Sequence, residues 1–176
     1  MIFSILLSFC LAAFASQDSR LIQAVNKGSL QEVTQLAKSK KELNGKDADG
    51  YDALFYAVSL NDLAKTKALL KAGAQTQNLY SNKKESLLFE AARLGSQDIL
   101  EVLLKKNPKL LKIQNTDHET ALFEAVRSDQ SKVVQYLVQK GLSLQEKNKS
   151  GKTAQDYADP QNKVMMSTLK KLNKTN

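Results

Sequence analysis

Cysteine and histidine each occur once in these 176 residues, and proline only twice. A lone Cys10 has no partner for an intramolecular disulfide, and it lies inside an apolar N-terminal run, so no catalytic thiol stands in the rest of the chain. A lone His118 cannot supply the paired imidazoles of a zinc site. No Ser or carboxylate is locked beside His118 by local sequence to build a hydrolytic triad, and no glycine-rich phosphate loop occurs. Catalysis, a metal and a cofactor are therefore not expected. Aromatic residues are only 6% of the chain and the lysines are scattered, which argues against nucleic acid despite a net charge of +8. That excess favours acidic partners and fast, salt-sensitive association.

One stretch has no charge of either sign. Ile2 to Phe14 is apolar and leads into Ala13-Phe14-Ala15, a small-x-small site suited to cleavage after Ala15. The run is shorter than the roughly 20 apolar residues that span a bilayer. No Lys or Arg precedes it, so the usual positive n-region is missing, and the bulky Phe9 before Cys10 speaks against lipidation. Residues 1–15 are expected to be a signal peptide, with a buried N-terminal helix as the alternative. Residues 16–176 then form one exported, cysteine-free domain, expected in a periplasm and without a membrane anchor after cleavage.

What the chain does have is repetition. Ala53-Leu54-Phe55-Tyr56-Ala57-Val58, Leu87-Leu88-Phe89-Glu90-Ala91-Ala92 and Ala121-Leu122-Phe123-Glu124-Ala125-Val126 are copies of one helix start. Leu21-Ile22-Gln23-Ala24-Val25 precedes them and Thr153-Ala154-Gln155-Asp156-Tyr157-Ala158 follows. Ile22, Phe55, Phe89, Phe123 and Asp156 share one register, at intervals of 33, 34, 34 and 33. A unit of this length cannot bury its apolar face alone and must stack on its neighbours.

The residue types follow from that stacking. Small residues at Ala57, Ala91, Ala92 and Ala125 let the first helix of each unit lie close to the next. Ile99-Leu100, Leu103-Leu104, Val133-Val134 and Leu137-Val138 predict a buried stripe on the second helix. Gly73 and Gly141 suit left-handed helix ends. Gly28, Gly95, Asn61 and Asp129 suit the tight turn between the two helices, where Asn and Asp tolerate positive φ. Ile22, Phe55, Phe89 and Phe123 predict an apolar ladder in the core, and Pro108 a helix end. Gln23, Lys27, Gln31 and Gln35 offer a polar face at one end of the stack. At the other, Gly151 to Ala158, Pro160 and a helix near 162–172 burying Met165, Leu169 and Leu172 complete a small module.

These motifs resemble the ankyrin repeat. Asp47-Ala48-Asp49-Gly50 opens its pattern, with Asp52, Ala53 and Phe55 in place of its Thr, Pro and His. Gly73-Ala74 matches its helix-ending turn, Asn107 and Gly141 take that place in later units, and Thr120-Ala121-Leu122-Phe123 repeats the helix start. The resemblance implies an all-α ankyrin-repeat solenoid of about five helix–turn–helix units, near 17–46, 47–79, 80–114, 115–147 and 148–174. It also implies a protein partner docked on the hairpin tips and the outward face of each first helix. The positions there are Tyr51, Tyr56, Ser59 and Leu60; then Glu85, Glu90, Arg93 and Leu94; then Glu119, Glu124, Arg127 and Ser128. Tyr51 and Arg93 are the residue types that dominate interface cores. Asn82-Lys83-Lys84 and Lys147 to Lys152 would make two basic finger tips. Glu90 and Glu124 recur at one repeat position and read as shared polar surface rather than an acid–base pair.

In size, export and capping the chain looks like the periplasmic ankyrin immunity proteins of predatory Gram-negative bacteria. That likeness implies a monomeric inhibitor that shields its host by occluding the active site of a penicillin-binding-type peptidoglycan DD-endopeptidase. A non-inhibitory periplasmic scaffold or stress-protective ankyrin protein is the alternative, and direct attachment to anionic cell wall a third reading.

Overall fold

A computed structural model describes residues 19–175, so the expected signal peptide lies outside the described residues. Those residues form ten helices, two 3₁₀ turns and no β-strand. In chain order the helices are α1 (Arg20–Lys27), α2 (Leu30–Leu36), α3 (Lys40–Leu43), α4 (Ala53–Ser59), α5 (Leu63–Ala72), α6 (Leu87–Arg93), α7 (Gln97–Lys106), α8 (Ala121–Arg127), α9 (Ser131–Gln139) and α10 (Lys163–Thr175). The 3₁₀ turns are Pro108–Lys112 and Ala154–Tyr157.

The first helices are too short to be stable alone, since isolated helices below about 12–15 residues are marginal in water. Two devices hold them. Side-chain caps start two of them: Ser19 Oγ accepts from the Ile22 amide at 3.2 Å, and Asp52 Oδ1 from the Phe55 amide at 2.9 Å. Stacking does the rest. An inner row runs α1, α4, α6, α8 and the Ala154–Tyr157 turn, each packed on the next, and α2, α5, α7, α9 and α10 form an outer row. Ala57, Ala91, Ala92 and Ala125 are fully buried, so inner helices meet over small side chains. Leu69, Ile99, Leu100, Leu103, Val133, Val134 and Leu137 fill the space between the rows, while Val138 is only partly buried. Ile22, Phe89 and Phe123 are buried as expected. Phe55 departs from that ladder: its ring is partly exposed, 4.2 Å from Tyr51 and 4.8 Å from Tyr80 between ring centres.

Turn geometry repeats with the sequence. Gly50, Lys84, His118 and Gly151 occupy the same hairpin-tip position with φ of 85°, 57°, 60° and 74°. Asn61, Gly95 and Asp129 turn between the two helices of their units at 54°, 73° and 57°. The first unit differs. Gly28 is in extended backbone at φ −93°, so what selects glycine there is crowding: a Cβ would sit 2.8 Å from the Ala24 carbonyl oxygen. Helix α7 ends at Lys106, and Pro108 opens the following 3₁₀ turn, which buries Leu110. At the far end α10 buries Met165 and Leu169 but only part of Leu172. Among the described residues no helix is long and apolar enough to cross a membrane.

Candidate functional face

The hairpin tips are built by one polar device. Asp47 Oδ1 accepts from the amides of Asp49 and Tyr51, Asn115 Oδ1 from Asp117 and Glu119, and Asn148 Oδ1 from Ser150 and Lys152. Ser81 fills the same place in the third unit more weakly, accepting only from Lys83. Neighbouring tips are then tied by backbone. The Thr116 amide donates to the Lys83 carbonyl at 2.8 Å, and the Lys149 amide to the Asp117 carbonyl at 2.9 Å. Lys83 also pairs with Asp117 at 3.3 Å, so the expected basic tip at Asn82-Lys83-Lys84 has one of its lysines neutralised.

Beside the tips, the solvent face of the inner row carries the sequence-derived residues in three groups. Tyr51 belongs to the first. Its ring lies nearly parallel to Tyr80, 6.0 Å apart, with Phe55 packed against both. Tyr80 itself is buried, and its hydroxyl donates to Asp52 Oδ2 at 2.8 Å. Burial, then the Asp52 charge, pushes that phenol far above its usual range. Tyr56 turns back into its own unit, donating to Asp47 Oδ2 at 2.6 Å. Leu60, closing α4, is 52% exposed.

The second group joins two units. Ser59 donates to Glu90 Oε1 at 2.8 Å, and Arg93 grips both oxygens of Glu90, Nε to Oε2 at 3.1 Å and NH2 to Oε1 at 2.6 Å. Leu94 is half-buried behind them. Glu85 is half-buried too. Burial and then the Glu124 charge push its carboxyl above the usual range, against the pull of an Asn115 hydrogen bond and Lys83.

The third group corrects an expectation. Glu119 was to face a partner, yet it is 2% exposed. Its Oε1 accepts from Arg127 and, at 2.8 Å, from Asn148 of the next unit. Burial alone would raise its carboxyl, but these hydrogen bonds and the Arg127 charge outweigh that and hold it low. Glu119 therefore fastens units together and is not available as a contact. Arg127 also reaches Glu124 at 3.5 Å and lies 4.3 Å over the Tyr157 ring. Ser128, closing α8, is half-buried.

Two features of this face escape a reading of the helix starts. Tyr80 precedes its helix by seven positions, outside the helix-start motif, and meets Tyr51 only through the hairpin. Tyr157 and Asn148 belong to the last repeat, whose polar look suggests a cap rather than a neighbour of Arg127. Four carboxylates, Glu85, Glu90, Glu119 and Glu124, stand here against two guanidinium groups, in a chain of net charge +8. Among the described residues no group of three His, Cys, Asp or Glu side chains could hold a metal ion.

Residues 21–113 match a family model described as ankyrin repeats, in three copies. The same inner-and-outer helix pairing continues beyond the match in α8 and α9. No curated protein matches the chain.

Proposed function

The chain belongs to the ankyrin-repeat family, whose repeats form a protein-binding module, and on that premise we propose that it is an exported inhibitor. Its target in this reading is a penicillin-binding-type peptidoglycan DD-endopeptidase of the periplasm, which it blocks by covering the active-site cleft. The reading is an immunity role: the host keeps the inhibitor to protect its own wall.

The observation that carries the binding face is the cross-unit tie of Ser59, Glu90 and Arg93, with Tyr51 and exposed Leu60 beside it. Such ties fix side chains before a partner arrives, which lowers the entropy cost of association. Arg93 still leaves 48% of its side chain exposed, so its charge and ring-stacking plane remain open to a partner. Periplasmic export and the endopeptidase target rest on the apolar leader and the likeness in size and capping.

The test is titration of purified endopeptidase with the chain. Activity is expected to fall linearly to zero at one equivalent and to return with Tyr51→Ala/Arg93→Ala. Full activity at a large excess of the chain overturns inhibition. A captured periplasmic partner that keeps its activity favours the scaffold reading instead.

A further inference from the structure

Between Tyr51, Phe55, Tyr80, Glu85, Ser86 and Glu90 lies a small cleft of about 130 Å³. Its wall is three aromatic rings and its edge two carboxylates. At its base is Ser86, 2% exposed, whose hydroxyl makes no hydrogen bond. A buried polar atom without a partner is rare, because it forfeits water and gains nothing in return. Ser86 begins α6 but does not cap it.

We infer that this cleft seats a lysine side chain of the partner protein, an inference that rests on the protein-binding reading above. The size fits: a water takes about 30 Å³ of liquid, so the space holds an ammonium and its last few methylenes. The chemistry fits part by part. Methylenes lie along aromatic rings, and an ammonium is drawn to ring faces by their quadrupoles. Its three donors match the carboxylates of Glu85 and Glu90 and the free lone pairs of Ser86 Oγ. The Glu85 carboxyl is raised by burial and by the Glu124 charge, the setting that an incoming cation relieves. The partial positive charge at the start of the seven-residue α6 opposes a cation, but it is about half a charge, and although Arg93 offsets Glu90 the full charge of Glu85 outweighs it. An anion would meet the Glu85 carboxylate, and an apolar side chain would strip it of water. A bulkier guanidinium pairs best with a carboxylate in bidentate fashion, and Arg93 already holds Glu90 that way.

The probe is n-butylammonium, the lysine head and stem, titrated into the full chain and followed by amide NMR. Shifts are expected at Tyr51, Phe55, Glu85 and Ser86, absent with n-butanol and weaker with n-butylguanidinium. Glu85→Gln should weaken binding about tenfold, the loss of one charge-assisted hydrogen bond. Ser86→Ala should weaken it by roughly threefold while leaving the melting temperature equal or higher, since it deletes an unpaired hydroxyl. Equal shifts with n-butanol, tighter binding of n-butylguanidinium, or an unaffected Ser86→Ala each overturn the inference. Inhibition of the endopeptidase that survives in Glu85→Gln and Ser86→Ala overturns the lysine seat and leaves the inhibitor reading intact. Butylammonium binding in a chain that inhibits nothing supports the cleft and removes the inhibitor.

Discussion

Asn148 donates from Nδ2 to Glu119 Oε1 at 2.8 Å, across the boundary between the fourth and fifth units. The same amide nitrogen also donates to the Tyr157 hydroxyl at 2.8 Å, while its oxygen holds two amides of its own tip. One side chain thus shapes its hairpin and fastens it to the preceding repeat. Asn148→Ala is expected to cost about 1.5–3 kcal/mol, the range for a hydrogen bond to a charged group. Urea unfolding monitored by circular dichroism measures it, and a loss under about 0.5 kcal/mol, within the usual range of surface changes, would show that Glu119 finds water instead.

Two glutamates at one repeat position should titrate in opposite senses. Glu85 is raised, by burial first and then by Glu124, so the folded protein holds its proton where the unfolded chain lets go. The stability from that proton is complete below the ordinary glutamate pKa and is lost as pH rises through the raised value. Glu119 is lowered, its hydrogen bonds and Arg127 outweighing burial, so its contribution is present above the ordinary pKa and lost as pH falls. Glu85→Gln is expected to raise the melting temperature at pH about 7 and to lose that advantage toward pH about 3, below the ordinary range for Glu. Glu119→Gln should lower it at pH about 7, with the gap closing toward pH about 3. Parallel pH profiles for the two variants would contradict this assignment.

The hairpin tip of the fourth unit holds His118 at φ 60°, where the second and fifth units use glycine at Gly50 and Gly151. A side chain in left-handed backbone costs about 1–2 kcal/mol, partly offset by the entropy glycine loses on folding. His118→Gly should therefore stabilise by about 0.5–1 kcal/mol without changing the fold. Thermal unfolding checks this directly, and a destabilised variant would mean that the imidazole holds its tip.

Phe123 and Phe55 occupy equivalent positions but not equivalent environments. Phe123→Ala removes a buried ring and should cost about 3–5 kcal/mol. Phe55→Ala should cost clearly less in stability, because its ring is partly exposed, yet weaken partner binding by opening the cleft wall. Equal stability losses would place Phe55 in the core after all.

The fold was legible because stacking imposes the same demand on every unit. Alanine at Ala57, Ala91 and Ala125, and positive-φ residues at Asn61, Gly95 and Asp129, answer it in register. The side chains of the candidate face were legible in their repeat positions but not in what they touch. Periodicity makes Glu85 and Glu119 equivalent, but what each meets depends on side chains of its own and the next unit. Asn148 and Arg127 close over Glu119, whereas Glu124 faces Glu85 with like charge. Tyr56 likewise stands at a surface position, and only the tip carboxylate of Asp47 decides that its hydroxyl turns back.

The most direct test of the binding face is capture of the partner from periplasmic extract, comparing three C-terminally tagged baits. These are the unaltered chain, an inner-face variant Tyr51→Ala/Arg93→Ala, and an outer-row variant Leu30→Ala/Lys71→Ala. The expected result is a DD-endopeptidase retained by the first and third baits and lost from the second. Retention by the inner-face variant with loss from the outer-row variant would contradict the account and move the binding surface to the other side of the stack.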